Sequence, residues 1–306
     1  MKSKKKKIIL GVLMIVIGLP MALTLTVVAW VSISDKTNGT IVSSGQTRRY
    51  LLYVPKTYDP SKSTPLVISL HPAMSWPAAE MNMSRWNDLA DERGFIVVYP
   101  AGTGFPQIWR TGPRSLELDV KFISDLMDKL EAEYNIDPAR VYINGFSQGG
   151  GMVFVLSCRL SRRVAAVGAV AAAEELPSNW CSDSTPVPMM AFHGTADLVP
   201  YHGGQSPDPF NPITFPDVRA WTASWARRNR CKGDPVEAPV TARVRRLTYT
   251  NCAEDADVVL YTIEGGGHTW PGGKDLPEWL VGPTSHEVNA TRLMWEFYLQ
   301  HSHGPK

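Results

Sequence analysis

The chain has 306 residues, 44% of them hydrophobic and 20% charged, a composition ordinary for a globular protein with a sizeable core. The formal net charge is +2, but five lysines and no acidic residue precede Ser34, so the remainder carries 26 basic against 29 acidic side chains, net −3. No basic patch interleaved with aromatic residues is present, which argues against a nucleic-acid partner.

The five lysines lie within Met1 to Lys7, and Ile8 to Ile33 then runs without a charge. A secretory apolar region is only about 7–15 residues, whereas a bilayer span needs about 20. No clean A-x-A cleavage pattern follows the run, and the lysine cluster should stay in the cytoplasm. Residues 1–33 are therefore expected to form an uncleaved signal-anchor, with the rest of the chain outside the membrane. A long cleaved signal peptide is the competing reading, and both export the remainder. Residues 34–45 read as a short tether and residues 46–306 as one domain, without an internal repeat or a linker to a second module.

Thr47 to Val54 mixes β-branched and aromatic residues and ends at Pro55, as a strand would. Pro65 to Leu70 and Phe95 to Tyr99 are continuous apolar runs of the kind buried on both faces of a sheet. Between them Trp86 to Ala90 has helical character and stops near Gly94. From Asp119 to Tyr134, Val120, Ile123, Met127, Leu130 and Tyr134 share one helical face. Asn135 and Pro138 then turn the chain into a strand at Val141. Further strands are expected at Val164–Val170, Pro188–Phe192 and Val258–Thr262, with helices at Val218–Arg228 and Val288–Gln300. Strands alternating with helices imply an α/β fold with a mainly parallel central sheet and helices on both faces. In such a sheet the site lies beyond the carboxyl ends of the strands.

Gly145-Phe146-Ser147-Gln148-Gly149 sits between the Val141 strand and a helical stretch. In that setting G-x-S-x-G marks a serine on a sharp strand-to-helix turn with its hydroxyl exposed at the sheet's end. A serine hydroxyl is a poor nucleophile at neutral pH and needs a base, which needs an orienting acid. In this fold the chain order is serine, acid, histidine. His268 follows the Val258 strand through Glu264-Gly265-Gly266-Gly267 and is the expected base. Asp197, just after the Pro188 strand, is the expected acid. The oxyanion would be held by the backbone N–H groups of Gln148 and Ala73, because Pro72 has none.

The four cysteines, Cys158, Cys181, Cys231 and Cys252, allow three pairings. Export makes disulfides plausible, with free buried thiols as the alternative. The local pairings would close loops of about twenty residues, each worth roughly 3 kcal/mol. No C-x-x-C or H-x-x-x-H spacing points to zinc, and hydrolysis through a serine needs no cofactor.

Four stretches together resemble the polyhydroxybutyrate-depolymerase-like esterases, related to feruloyl and acetylxylan esterases of the α/β-hydrolase fold. They are Trp86–Gly102 (WNDLADERGFIVVYPAG), Tyr134–Gly150 (YNIDPARVYINGFSQGG), Phe192–Gly204 (FHGTADLVPYHGG) and Tyr261–Gly273 (YTIEGGGHTWPGG). The resemblance spans about Gln46 to Gln300. It implies a triad of Ser147, Asp197 and His268, and pairs Cys158 with Cys181 and Cys231 with Cys252. One departure is the expected oxyanion loop. These families usually carry His-Gly and a small residue there, and this chain has His71-Pro72-Ala73.

Trp76, Trp109, Trp270 and Trp279 fall in or near loops expected around the site, and Trp270 and Trp109 are the expected substrate contacts. The expected activity is that of a serine carboxylesterase acting on small or oligomeric esters. A peptidase of the same fold and a membrane-anchored binding domain that has lost its chemistry are the alternatives.

Overall fold

The computed structural model describes residues 35–110, 113–173, 181, 185–205 and 214–303. The expected anchor, residues 1–33, lies outside the described residues. Among those described, no helix is long and apolar enough to cross a membrane.

The chain opens with a hairpin of β1 (Gly39–Ser43) and β2 (Gln46–Tyr53). Then come β3 (Thr64–Leu70), helices α1 (Pro77–Ser84) and α2 (Trp86–Arg93), β4 (Ile96–Pro100), α3 (Pro113–Glu133), β5 (Ile136–Phe146) and α4 (Gln148–Arg159). β6 (Ala166–Val170) and β7 (Met189–Gly194) precede a small sheet of β8 (His202–Gln205) and β9 (Thr214–Asp217), and α5 (Val218–Arg228) follows. β10 (Val236–Pro239), β11 (Val244–Tyr249), β12 (Val258–Ile263), the short α6 (Glu278–Val281) and α7 (Ala290–Tyr298) complete it.

The main sheet has the spatial order β1-β2-β4-β3-β5-β6-β7-β12-β11-β10. Its six middle strands, β4 to β12, are mutually parallel, and both edges are antiparallel. The middle strands are apolar on both sides because both sides are covered. Every residue of β3, β4, β6 and β7 is buried. The two-residue period of a strand splits them between two cores. Leu66, Ile68 and Leu70 of β3 pack with Met127, Leu156 and Trp225 from α3, α4 and α5. Val67 faces the other way, with Trp86, Phe95 and Trp295 beside it. The chain thus has an α/β-hydrolase arrangement, with a mostly parallel sheet and helices on both faces.

Some boundaries differ from the sequence expectations. The expected tether, residues 34–45, contains β1, which pairs with β2 from Gly39↔Tyr50 to Ser43↔Gln46. The turn expected at Asn135–Pro138 falls at the start of β5, where residues 136–138 belong to an irregular stretch of the strand. Opposite it the register passes from Thr64↔Ile136 to Leu66↔Val141, so β5 advances five residues while β3 advances two. Pro138 cannot donate to a ladder, and such a bulge accommodates it. Helix α1 and the edge strands β10 and β11 carry no strong periodicity and were not anticipated. The disulfides join Cys158 to Cys181 and Cys231 to Cys252.

Helix α1 drives Glu80 into the core, where it is 0% exposed. Ser69 Oγ lies 2.9 Å from Glu80 Oε1 and 2.8 Å from Asn144 Oδ1, and Trp86 Nε1 donates to that same Asn144 oxygen at 3.1 Å. One hydroxyl proton cannot serve both acceptors. The bonds are satisfied when a protonated Glu80 donates to Ser69 and Ser69 donates to Asn144. Desolvation accordingly pushes the Glu80 carboxyl up to about 8. A folded-state value above the unfolded one favours folding at low pH, and that advantage is lost as pH rises through the folded value. Each pH unit between the two values costs about 1.4 kcal/mol. Urea unfolding of Glu80→Gln should therefore lose the wild type's slope. Relative to wild type, the variant should gain roughly 3 kcal/mol on going from about pH 5 to about pH 8.

Candidate active site

Ser147 lies between β5 and α4 with φ 53 and ψ −121, a strained conformation for a residue with a side chain. The flanking glycines permit it. A Cβ on Gly145 would overlap the backbone of Gly149, and one on Gly149 would overlap the carbonyl oxygens of Leu70 and His71. Ser147 N–H donates to Val170 O at 2.8 Å, which ties the turn to β6.

The loops after β7 and β12 bring Asp197 and His268 together. His268 Nδ1 is 2.6 Å from Asp197 Oδ1, and the Asp197 side chain is fully buried while that of His268 is 14% exposed. The His268 ring centroid is 4.8 Å from that of Phe146, so the imidazole packs beside the residue that precedes Ser147. Gly265, at φ +70, gives the loop its turn. Helix α6 braces it, since His268 N–H donates to Val281 O at 2.6 Å. Asp197 is held as well, because Val199 N–H donates to Oδ1 at 2.7 Å. His193, which precedes Asp197 and so falls outside the serine, acid, histidine order, lies on the carboxylate's other side. Its Nε2 is 3.5 Å from Asp197 Oδ2 and 2.9 Å from Val199 O, and burial lowers its pKa. The i, i+4 spacing in His193-Gly194-Thr195-Ala196-Asp197 was the only signal that could have found it.

The loop after β3 carries Ala73, and α4 begins at Gln148. His71 is buried, with Nδ1–H donating to Pro72 O at 2.7 Å and Nε2 accepting from Gly102 N–H at 2.9 Å. That pair of partners requires the neutral imidazole, and desolvation holds its pKa down at about 4. Trp109 Nε1 donates to His71 O at 2.8 Å, while Trp109 N–H donates to Gln148 Oε1 at 2.9 Å. The loop after β4 therefore fastens the β3 loop to the first residue of α4. Below it, the buried Asp119 pairs with Arg48 and Arg110, each at 2.7 Å.

These contacts correct the expectation of substrate-binding tryptophans. Trp109 is 1% exposed and Trp270 is 0% exposed. Trp270 donates to Thr291 Oγ1 at 2.9 Å, joining the histidine loop to α7. Both indoles are spent on packing and on internal hydrogen bonds, so neither presents a face to a substrate. Trp76 is also buried, whereas Trp279 on α6 is 85% exposed. Among the described residues no group of three or more His, Cys, Asp or Glu could hold a metal ion.

The strand order, with a strained Ser147 after β5 and loops carrying Asp197 and His268 after β7 and β12, is that of an α/β-hydrolase. An acetyl xylan esterase from Aspergillus awamori has a similar fold, with a TM-score of 0.60 at 14% identity over 76% of this chain and 93% of that one. Residues 48–175 match the family described as "Esterase PHB depolymerase". Feruloyl esterase B of Piromyces equi is 33% identical over 235 residues, covering 74% of this chain and 44% of that protein. The putative esterase NocK of Nocardia uniformis subsp. tsuyamanensis is 29% identical over 282 residues, covering 85% and 81%. The chain thus spans under half the length of the Piromyces protein. Along most of its length it resembles polyhydroxybutyrate-depolymerase-like and feruloyl-esterase-like esterases.

Proposed function

We propose that the chain is an extracytoplasmic serine carboxylesterase. The observation that carries this reading is the 2.6 Å contact between His268 Nδ1 and Asp197 Oδ1, two residues from different loops, made beside the strained Ser147 turn. In the proposed reaction Ser147 Oγ attacks the ester carbonyl and His268 Nε2 takes its proton. Asp197 Oδ1 holds the Nδ1–H tautomer and stabilises the imidazolium. His268 then gives the proton to the leaving alcohol, and water, activated by the same imidazole, releases the acid from the acyl-enzyme. No cofactor is required.

The oxyanion would accept from Gln148 N–H and Ala73 N–H. Gln148 is the first residue of α4, and the first N–H groups of a helix have no partner within it. The esters would be of the kinds that the relatives' names denote, feruloyl or acetyl esters, or polyhydroxyalkanoate oligomers. Two disulfides fit an exported protein, and residues 1–33 have the sequence of a signal-anchor.

The full chain should be treated with a fluorophosphonate probe and a panel of p-nitrophenyl esters beside Ser147→Ala. Labelling and turnover that vanish in the variant support the reading, and a folded wild type that does neither sinks it. His71→Ala removes the donor to Pro72 O and the acceptor of Gly102 N–H. Its kcat on p-nitrophenyl acetate should fall by about 10², the size of effect that follows from misplacing one oxyanion donor. Its KM should change much less.

A further inference from the structure

The apolar run Ile8–Ile33 ends two residues before Asp35. Asp35 is fixed to the body of the protein. Its Oδ1 accepts from Gln107 Nε2 at 2.7 Å, and Arg49 Nη2 donates to its two oxygens at 2.9 and 3.0 Å. In the sequence, the charge-free run therefore joins the described part of the protein just before this fixed position.

Gln107 belongs to the loop after β4, closed by Thr103 N–H to Ile108 O and Ile108 N–H to Thr103 O, both at 2.9 Å. That loop lifts Phe105, 77% exposed, and Ile108, 42% exposed, into solvent. The neighbouring β3 loop adds Met74, 65% exposed, and the Phe105 ring lies 6.2 Å from that of Trp76. Across the site α6 adds Trp279 and Leu280, 85% and 54% exposed. All four strands that feed these loops and the Ser147 turn end at the same end of the sheet. Apolar side chains gathered on one face mark an interaction surface. Here the charge-free run of the chain itself says what covers it.

We propose that this face docks on a lipid bilayer. Phe105, Ile108 and Met74 enter the interfacial layer of the membrane to which Ile8–Ile33, read as a signal-anchor, would tether the chain. The mouth of the site then opens at the lipid surface, and esters dissolved in the outer leaflet reach Ser147 from that side. The substrate clause rests on the esterase reading above, and the docking itself does not.

The test uses the full chain in phosphatidylcholine vesicles. All four native cysteines are in disulfides, so Phe105→Cys provides a single thiol for an environment-sensitive nitrobenzoxadiazole label. Val236→Cys is the control. It is 65% exposed on β10, and its register with Thr248, which pairs with Val259 early in β12, puts it at the opposite end of the sheet. The expected result is emission several-fold stronger at position 105 than at 236, quenched by nitroxide-bearing lipid only at 105. A label at Ile108→Cys should repeat it. Equal emission without quenching at 105, 108 and 236 overturns the proposal. Fluorophosphonate labelling of the same samples separates the two readings. Quenching without labelling leaves docking standing and sinks the esterase, and labelling without quenching does the reverse.

Discussion

Ser147→Ala should lower kcat on p-nitrophenyl acetate by about 10⁶ while leaving KM within a few-fold, because the nucleophile, base and acid act as a unit. The variant should stay folded. Ser147 N–H, bonded to Val170 O, belongs to the backbone and is kept. Alanine meets the same strain at φ 53 that serine does, so the melting temperature should move by only a few degrees. A residual rate of roughly 10³ over water should survive, from oxyanion donors and substrate positioning. The measurement is steady-state kinetics on protein counted by absorbance, with wild type titrated by fluorophosphonate to fix its active fraction. A variant rate within tenfold of wild type would move the chemistry to another residue.

Asp197→Asn should cost about 10⁴ in kcat, again with little change in KM. The geometry says why so small a change matters. Asp197 Oδ1 faces His268 Nδ1 at 2.6 Å and also receives Val199 N–H at 2.7 Å, so it must act as an acceptor. An asparagine can keep its oxygen on both donors only with its NH₂ group in the Oδ2 place beside His193, and turned over, its NH₂ group faces Nδ1 and selects the imidazole tautomer with the proton on Nε2. That tautomer cannot take a proton from Ser147. Removing the charge also takes from the imidazolium, only 14% exposed, its fully buried carboxylate partner. A pH profile of kcat over neutral pH checks this, with the loss largest where wild type is most active. A loss under tenfold would mean that another group, His193 being nearest on the far side, orients His268.

The sequence alone carried the parts of this protein that local chemistry dictates. The both-faced apolar runs at Pro65–Leu70 and Phe95–Tyr99 declared buried parallel strands, and the five-residue Gly145–Gly149 turn declared its own geometry. The glycines before His268 and the strand before Asp197 put both residues in loops at the right end of the sheet. Residue pattern plus chain order named Ser147, Asp197 and His268, and the fold brings the last two to 2.6 Å of each other, with the His268 ring packed on Phe146, the neighbour of Ser147. The cysteine pairing came only through family resemblance, since spacing left three possibilities open.

What tertiary structure decided was which side chains are already engaged. Trp109 and Trp270 read as contacts because an indole in a site loop looks available. Only packing shows one donating to His71 O and the other to Thr291, both out of solvent. No sequence pattern singles out Glu80, which α1 turns against Ser69 and Asn144, where desolvation keeps its proton. His193 falls outside the serine, acid, histidine order, yet it sits 3.5 Å from the carboxylate that contacts His268. Asp35, in what read as a tether, is clamped to Gln107 and Arg49. In each case the deciding quantity is a contact between residues far apart in the chain. Propensity and periodicity are local, whereas burial and hydrogen-bond satisfaction are summed over every element that packs around a group.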